Sequence, residues 1–87
     1  MVKQWTLYIL ECKDGSLYTG ITDNLERRLA AHSAGKGAKY TRGRNPLILR
    51  YTETCESHSQ SLRREIEIKK MTRLGKLALC DKHKESQ

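Results

Sequence analysis

The stretch Leu17-Tyr18-Thr19-Gly20-Ile21 is followed at once by the run DNLERRLAAH at positions 23–32. The first stretch is typical of a short strand that contains a glycine, and the second is typical of a helix that begins directly after it. Tyr8 lies on the preceding strand-like segment, while Arg28 and His32 are four residues apart on the predicted helix. Phenols, a guanidinium and an imidazole at one strand-to-helix corner form a candidate phosphate site, because arginine can bind phosphate oxygens through two parallel hydrogen bonds.

Length and charge limit the classes of protein that this chain can represent. Its 87 residues predict one domain over 1–87, with a core at 5–80 and a frayed polar tail at 81–87. A net charge of +7, from 17 basic and 10 acidic residues, favours a polyanionic partner, with nucleic acid ahead of an anionic membrane surface. No apolar run reaches membrane-spanning length and the N-terminus has no signal-peptide core, so we expect a cytoplasmic protein. We also expect a monomer rather than an oligomer. The three cysteines lack CxxC spacing, which indicates free thiols in a reducing compartment.

The Asp14-Gly15 pair predicts a hairpin between a strand at 5–11 and the Leu17 stretch. A two-residue loop would place Tyr8 and Tyr18 on opposite faces of the sheet. A three-residue loop with a left-handed Gly15 pairs Leu10 with Tyr18 and places both tyrosines on one face. The difference is sharp because a slip of one residue moves every side chain across the sheet. We favour the three-residue loop.

The first helix has a recognisable start, end and apolar face. Asp23 and Glu26 resemble a capping box, and Gly35 marks the end of the helix. At about 100° per residue, His32 falls on the apolar stripe and Arg28 at its edge. We therefore expect both side chains to point away from bulk solvent.

Residues 35–46 contain four cations, Tyr40 and no acid, which predicts a mobile basic loop. A third strand is predicted at 47–52. Ser57 with Gln60 predicts the start of a second helix over about 59–71, with Leu62 and Ile66 on one face and Glu65 beside them. Thr72 predicts the start of a short third helix, whose buried stripe would be Leu74, Leu77 and Ala78.

The order Tyr8-Ile9-Leu10, Tyr18-Thr19-Gly20, Arg28-x3-His32 and then Glu65 resembles the GIY-YIG nuclease family, in particular its small stand-alone bacterial members. Thr6-Leu7 stands where the name motif has Gly-Ile, and Thr19 replaces the middle Ile of the second triplet. The resemblance covers the chain from about residue 5 to residue 82. It implies an α+β fold, in which about three helices pack on a three-stranded antiparallel sheet.

The resemblance also implies a metal-dependent DNA endonuclease with low intrinsic sequence specificity. Glu65 would bind Mg²⁺ or Mn²⁺, Arg28 would contact the scissile phosphate, and His32 matches a histidine of many members. Tyr8 and Tyr18 match the two motif tyrosines, one of which would handle the proton of the attacking water. Branched or damaged DNA is the expected substrate, and DNA repair the expected setting. The predicted DNA contacts are Lys36, Lys39, Tyr40, Arg42, Arg44 and Lys69, with Tyr40 stacking on a base.

Ordinary structural roles compete with each of these assignments. Glu65 has the right spacing for a salt bridge with Lys69, His32 could be a half-buried core histidine, and the basic loop could simply be solvated. The repeated Cys-x2-His spacing at Cys55 and Cys80 is a weaker indication of a zinc site. At the level of function, the main alternative is a nucleic-acid-binding module with weak or partner-dependent catalysis. A membrane-surface or ribosome-associated protein, the latter with RNA as its partner, is the third.

Overall fold

The computed structural model describes residues 4–37 and 39–85, and side chains as far as residue 82. Three strands form one antiparallel sheet in the order β2-β1-β3, and three helices accompany it. This confirms the predicted α+β class. None of the helices within the described ranges is long and apolar enough to cross a membrane. In chain order the elements are β1 (Trp5–Glu11), β2 (Leu17–Thr22), α1 (Leu25–Ser33), a 3-10 turn (Lys39–Thr41), β3 (Ile48–Cys55), α2 (His58–Lys69) and α3 (Arg73–Glu85).

The hairpin between β1 and β2 has the register that the sequence favoured. Leu10 pairs with Tyr18, and Tyr8 pairs with Gly20. The loop closes through a hydrogen bond of 2.8 Å from the Cys12 amide to the Ser16 carbonyl. Gly15 has a φ of 84°, the left-handed conformation that glycine adopts without steric cost. Tyr8 and Tyr18 therefore share one face of the sheet.

The opposite face of the sheet carries the hydrophobic core, which lies between the sheet and helices α2 and α3. Its fully buried members are Leu7, Ile9, Cys55, Ile68 and Cys80. The buried stripe predicted for α3 was wrong, because Leu74 is 79% exposed and Ala78 is also exposed. Leu62 and Ile66 share one face of α2, and they are 40% and 54% exposed. Helix α2 instead turns Ser61 and Ile68 inward, and α3 turns Cys80 inward.

The helix ends follow the predicted chemistry with one correction. The N-cap of α1 is Asn24, not Asp23, because Asn24 has the extended backbone and its side chain accepts the Arg27 amide at 3.0 Å. At the other end, Gly35 has a φ of 76° and the Lys36 amide donates to the Ala31 carbonyl, which is the Schellman arrangement.

The two later helices begin as predicted. The Ser57 side chain accepts the Gln60 amide, and the Thr72 side chain accepts the Gly75 amide. Helix α3 spans Arg73–Glu85, so it is longer than the short helix that was predicted. The frayed tail from residue 81 stays a prediction. Strand β3 also runs three residues beyond its predicted end.

Candidate active site

Tyr8 lies at the centre of a hydrogen-bonded group on the α1 side of the sheet. Its side chain is completely buried, and its hydroxyl lies 2.9 Å from Nε2 of His32. The Arg28 guanidinium lies near enough to act on the same hydroxyl. Burial raises the pKa of Tyr8, and Arg28 opposes that rise because its positive charge favours the phenolate. The structure thus brings together three of the predicted site residues around one phenol oxygen.

His32 is held through both ring nitrogens. Besides the contact with Tyr8, its Nδ1 lies 2.8 Å from Oγ1 of Thr41, and His32 and Thr41 are each only 1% exposed. Burial lowers the pKa of His32, and the positive charge of Arg28 lowers it further. The imidazole is therefore biased toward its neutral form. Thr41 was not among the predicted site residues, because nothing in the sequence marks a polar loop residue nine positions after His32 as its partner.

Two glycines make room for this group. A Cβ added at Gly20 would lie 2.5 Å from Oη of Tyr8 and 3.0 Å from Cε2 of Tyr18. A Cβ added at Gly37 would collide with Nδ1 of His32. The glycine of the Tyr18-Thr19-Gly20 triplet is thus the surface over which the Tyr8 ring lies. Gly20 could be predicted from that motif, whereas no motif in the sequence points to Gly37 of the basic loop.

An aromatic row extends the group toward the basic loop. The Tyr18 ring centre lies 5.4 Å from His32, and Tyr40 stacks on Tyr18 at 5.9 Å. The Arg44 guanidinium lies 4.5 Å above the Tyr40 ring and forms an ion pair with Asp14 of the hairpin loop. Residues 39–46 thus make defined contacts with β2 and with the hairpin loop, and the Tyr40 ring contacts both Tyr18 and the Arg44 guanidinium. The DNA contact of Tyr40 stays a prediction.

The side chains of the predicted DNA-binding cations differ in their exposure to solvent. Lys36, Lys39 and Arg42 are exposed, while Arg44 is half-buried by its contacts. Beside Tyr18 there is a cavity of about 360 Å³, and Lys69 of α2 and Lys76 of α3 both line it. Lys76 escaped prediction because only the packing of α3 against the sheet brings it to this edge.

Glu65 lies on α2. Its side chain is 19% exposed, and its carboxylate lies 3.3 Å from Nζ of Lys69, the salt bridge that the spacing predicted. It also acts electrostatically on Tyr8, contributing to the raised pKa of that phenol. Within the described part of the chain, no group of three or more His, Cys, Asp or Glu side chains could together hold a metal. One carboxylate is nevertheless a sufficient protein ligand for Mg²⁺, which keeps most of its waters and also binds substrate phosphate.

The weaker indication of a zinc site receives no support from the two cysteines. Cys55 and Cys80 are free thiols in the hydrophobic core, where burial raises the pKa of each. His58 stacks on Trp5 with ring centres 4.1 Å apart. The side chain of His83, the fourth residue of the proposed set, lies outside the described residues.

Comparisons with known proteins place this geometry in a family context. The profile of the GIY-YIG catalytic domain matches residues 4–78. A UPF0213 protein from Halobacterium salinarum is 53% identical over 84% of this chain and 95% of its own length. Another, from Staphylococcus haemolyticus, is 53% identical over 86% of this chain and 92% of its own length. The solution NMR structure of a UPF0213 protein from Bacillus halodurans has a TM-score of 0.59 and 47% identity, over 90% of this chain and 83% of that one.

Proposed function

Because this chain belongs to the GIY-YIG catalytic domain family, a family of nucleases, we propose that it is a divalent-metal-dependent endonuclease that hydrolyses DNA phosphodiester bonds. The observation that carries the proposal is the 2.9 Å contact of Tyr8 with His32, at a site where the charge of Arg28 acts on both groups. A buried phenol between a neutral imidazole and a fixed positive charge is arranged to exchange a proton. A tyrosine that served only to pack on the sheet would need one hydrogen-bond partner for its buried hydroxyl, and it would not need an arginine beside that partner.

In the proposed reaction, Arg28 binds a non-bridging oxygen of the scissile phosphate and stabilises the negative charge that develops there. Tyr8 passes its proton to Nε2 of His32 as its oxygen takes a proton from the attacking water. The resulting hydroxide forms a new bond to phosphorus, and the bond from phosphorus to the leaving oxygen breaks. The leaving oxygen takes a proton from solvent, and His32 later releases its proton. Tyr18 lies beside both groups and is proposed to orient the attacking water.

Glu65 is the proposed metal ligand. Bound there, Mg²⁺ or Mn²⁺ would polarise the phosphate and offset charge in the transition state. Lys69, whose side chain is 53% exposed, would have to leave its pair with Glu65, which is a small cost because i, i+4 pairs on helices contribute about 0.3–0.5 kcal/mol. Lys69 would then be available to a DNA phosphate.

The DNA backbone is proposed to follow the exposed cations Lys36, Lys39 and Arg42, and to reach Lys69 and Lys76 across the cavity beside Tyr18. Contacts of this kind bind phosphates and read little sequence. We therefore propose low sequence specificity, with nicked, flapped or branched DNA as the substrate and repair as the setting. Free buried thiols fit a reducing compartment, so we propose that the protein acts in the cytoplasm, as a monomer.

The second candidate function is a nucleic-acid-binding module that keeps the nuclease fold and cuts weakly or only with a partner. The salt bridge between Glu65 and Lys69 favours this candidate, because it is the purely structural role that the spacing predicted. RNA is a further ligand to compare under this candidate. The two candidates differ in what the loss of the carboxylate should do.

The deciding experiment compares wild type, Glu65→Gln and Lys69→Ala on nicked, flapped, branched and plain duplex DNA, in Mg²⁺, in Mn²⁺ and with chelator. Under the nuclease proposal, Glu65→Gln keeps its fold and its DNA affinity but loses cleavage by orders of magnitude, since each 1.36 kcal/mol of lost transition-state stabilisation is about tenfold in rate. Lys69→Ala loses the same salt bridge and keeps the cleavage step. Equal cleavage by wild type and Glu65→Gln would remove Glu65 from the mechanism. A wild-type protein that binds all four DNAs and cuts none would support the binding module.

A further inference from the structure

Thr41 makes a buried contact with His32, and it has no part in the reaction proposed above. Thr41 belongs to the 3-10 turn at Lys39–Thr41, and its Oγ1 lies 2.8 Å from Nδ1 of His32. The opposite nitrogen, Nε2, faces Tyr8 at 2.9 Å. All three side chains are at most 1% exposed, so within this group the protons are shared among protein atoms.

The hydrogen-bonding capacities of these side chains give the chain of contacts a direction. Arg28 can only donate hydrogen bonds, and its positive charge favours the Tyr8 oxygen as an acceptor on the side that faces Arg28. The buried hydroxyl of Tyr8 then needs an acceptor of its own, and Nε2 of His32 is the acceptor that lies within reach. A neutral imidazole whose Nε2 accepts must carry its hydrogen on Nδ1. Thr41 Oγ1 is the atom placed to accept that hydrogen.

We propose that Thr41 is a positioning residue of this site, whose hydroxyl holds His32 as the Nδ1–H tautomer and so leaves Nε2 open to receive the proton of Tyr8. This inference rests on the nuclease function proposed above. A partner on the far nitrogen commonly fixes the tautomer and the ring orientation of a functional histidine. Thr41 does so without touching the substrate.

The same arrangement joins the proton relay to the DNA-binding loop. Thr41 lies between the exposed cations Lys39 and Arg42. Two residues before Lys39, Gly37 packs so closely on the His32 ring that a side chain there would strike Nδ1. The loop can therefore complete the relay only when it is docked on His32. Phosphates held by Lys39 and Arg42 would favour that docked state.

The test compares wild type with Thr41→Val, which removes the hydroxyl while keeping a similar shape, and with Thr41→Ser, which restores it. Imidazole ¹⁵N spectra of the full chain without DNA report the tautomer directly. We expect the Nδ1–H form of His32 in wild type and in Thr41→Ser, and a mixture of both tautomers in Thr41→Val. On a DNA substrate that wild type cleaves, kcat of Thr41→Val should fall about 10- to 100-fold. That loss is part of the rate enhancement of about 10²- to 10⁴-fold that is typical of general acid–base catalysis. KM and DNA affinity should stay near wild type, and Thr41→Ser should recover most of the rate.

Two results would overturn the inference. One is a wild-type His32 that carries its hydrogen on Nε2, and the other is a Thr41→Val protein that keeps both the Nδ1–H tautomer and the wild-type kcat. The wild-type spectrum decides the tautomer even where the Val variant fails to fold. Among the described residues, the titratable or charged side chains that face His32 are Tyr8, Tyr18 and Arg28. Because Tyr8 contacts Nε2 directly, the resonances of His32 can be assigned by their response to Tyr8→Phe. A wild-type protein that cuts no DNA refutes the nuclease proposal instead, while the spectra still show whether Thr41 sets the tautomer.

Discussion

Replacing Gly20 with Ala tests the geometry of the site with a single methyl group. The added Cβ would lie 2.5 Å from Oη and 2.6 Å from Cζ of Tyr8. Ordinary van der Waals contact begins at about 3.4 Å, so the phenol or the β2 backbone has to move by about 0.9 Å. A shift of that size is enough to break the 2.9 Å contact between Tyr8 and His32.

The expected magnitude follows from two opposing terms. Overpacking of a buried site costs about 1–3 kcal/mol, and the lower entropy of the unfolded chain returns about 0.4–1 kcal/mol for a Gly-to-Ala change. We expect a net loss of about 1–2 kcal/mol, which lowers Tm by about 4–16 °C in a domain of this size. Because a misplacement near 1 Å can cost about 10²-fold in rate, we expect cleavage to fall at least that far.

The assay pairs thermal unfolding with single-turnover cleavage at saturating protein, and with DNA binding measured by fluorescence anisotropy. The matched control is Gly75→Ala in the first turn of α3, where the nearest atom to the added Cβ is the flexible Cε of Met71 at 3.2 Å. The free energy of unfolding of that control should rise by at most about 0.5–1 kcal/mol, and the control should cleave like wild type. A Gly20→Ala protein with wild-type stability and wild-type cleavage would refute the reasoning. Lowered stability with full cleavage would keep the packing argument and remove Tyr8 from the mechanism.

Three further predictions concern binding, pH and the core. Replacing Lys39 and Arg42 together with Ala should flatten the slope of log affinity against log salt by up to about two units in a binding titration, and an unchanged slope would mean that the loop lies off the DNA. The pKa of His32 is lowered in the folded protein by burial and by Arg28, so below its ordinary value of about 6.5 the unfolded chain binds protons more readily. The free energy of unfolding should therefore fall as pH drops below that value, and urea titrations of His32→Gln should show a weaker dependence; equal slopes would contradict the burial argument. Thr19 has a buried Oγ1 with no hydrogen-bond partner among the described residues, so Thr19→Val should raise the free energy of unfolding by about 1 kcal/mol in the same titrations, and a loss would show that the hydroxyl is satisfied.

The hairpin and the first helix were predictable because their signals are local. Asp14-Gly15 located the hairpin and left two loop lengths open, and for the favoured three-residue loop the period of two fixed which side chains share a face. The period of the first helix likewise placed His32 inward and Arg28 at the edge, as the structure has them. Only the cap was displaced by one residue, because Asp23 and Asn24 are adjacent and both can cap a helix.

The later helices were harder to predict because apolar spacing alone did not decide which face is buried. Ser61 is fully buried in α2, where its hydroxyl donates to the carbonyl of His58 in its own helix, while Leu62 beside it is largely exposed. The roles of Thr41 and Gly37 depend on how the loop folds back over α1. Such contacts between polar or small residues leave no periodic signal. The family resemblance predicted the motif residues, but it did not predict Thr41 and Gly37, the loop residues that pack on His32.

Strand β1 serves two layers at once, since Leu7 and Ile9 face the core while Tyr8 and Leu10 face the α1 side. The sheet packs far more extensively on α2 and α3 than on α1. In hydrogen exchange, amides of β1 should therefore open only with the whole domain, whereas those of α1 and of residues 39–46 should open in a separate, less costly step. Tyr8 therefore lies on the strand that should unfold last, and it is covered by α1 and residues 39–46, which should open first. Residues 39–46 can therefore open locally and dock again on His32 while the hydrophobic layer behind the site stays intact.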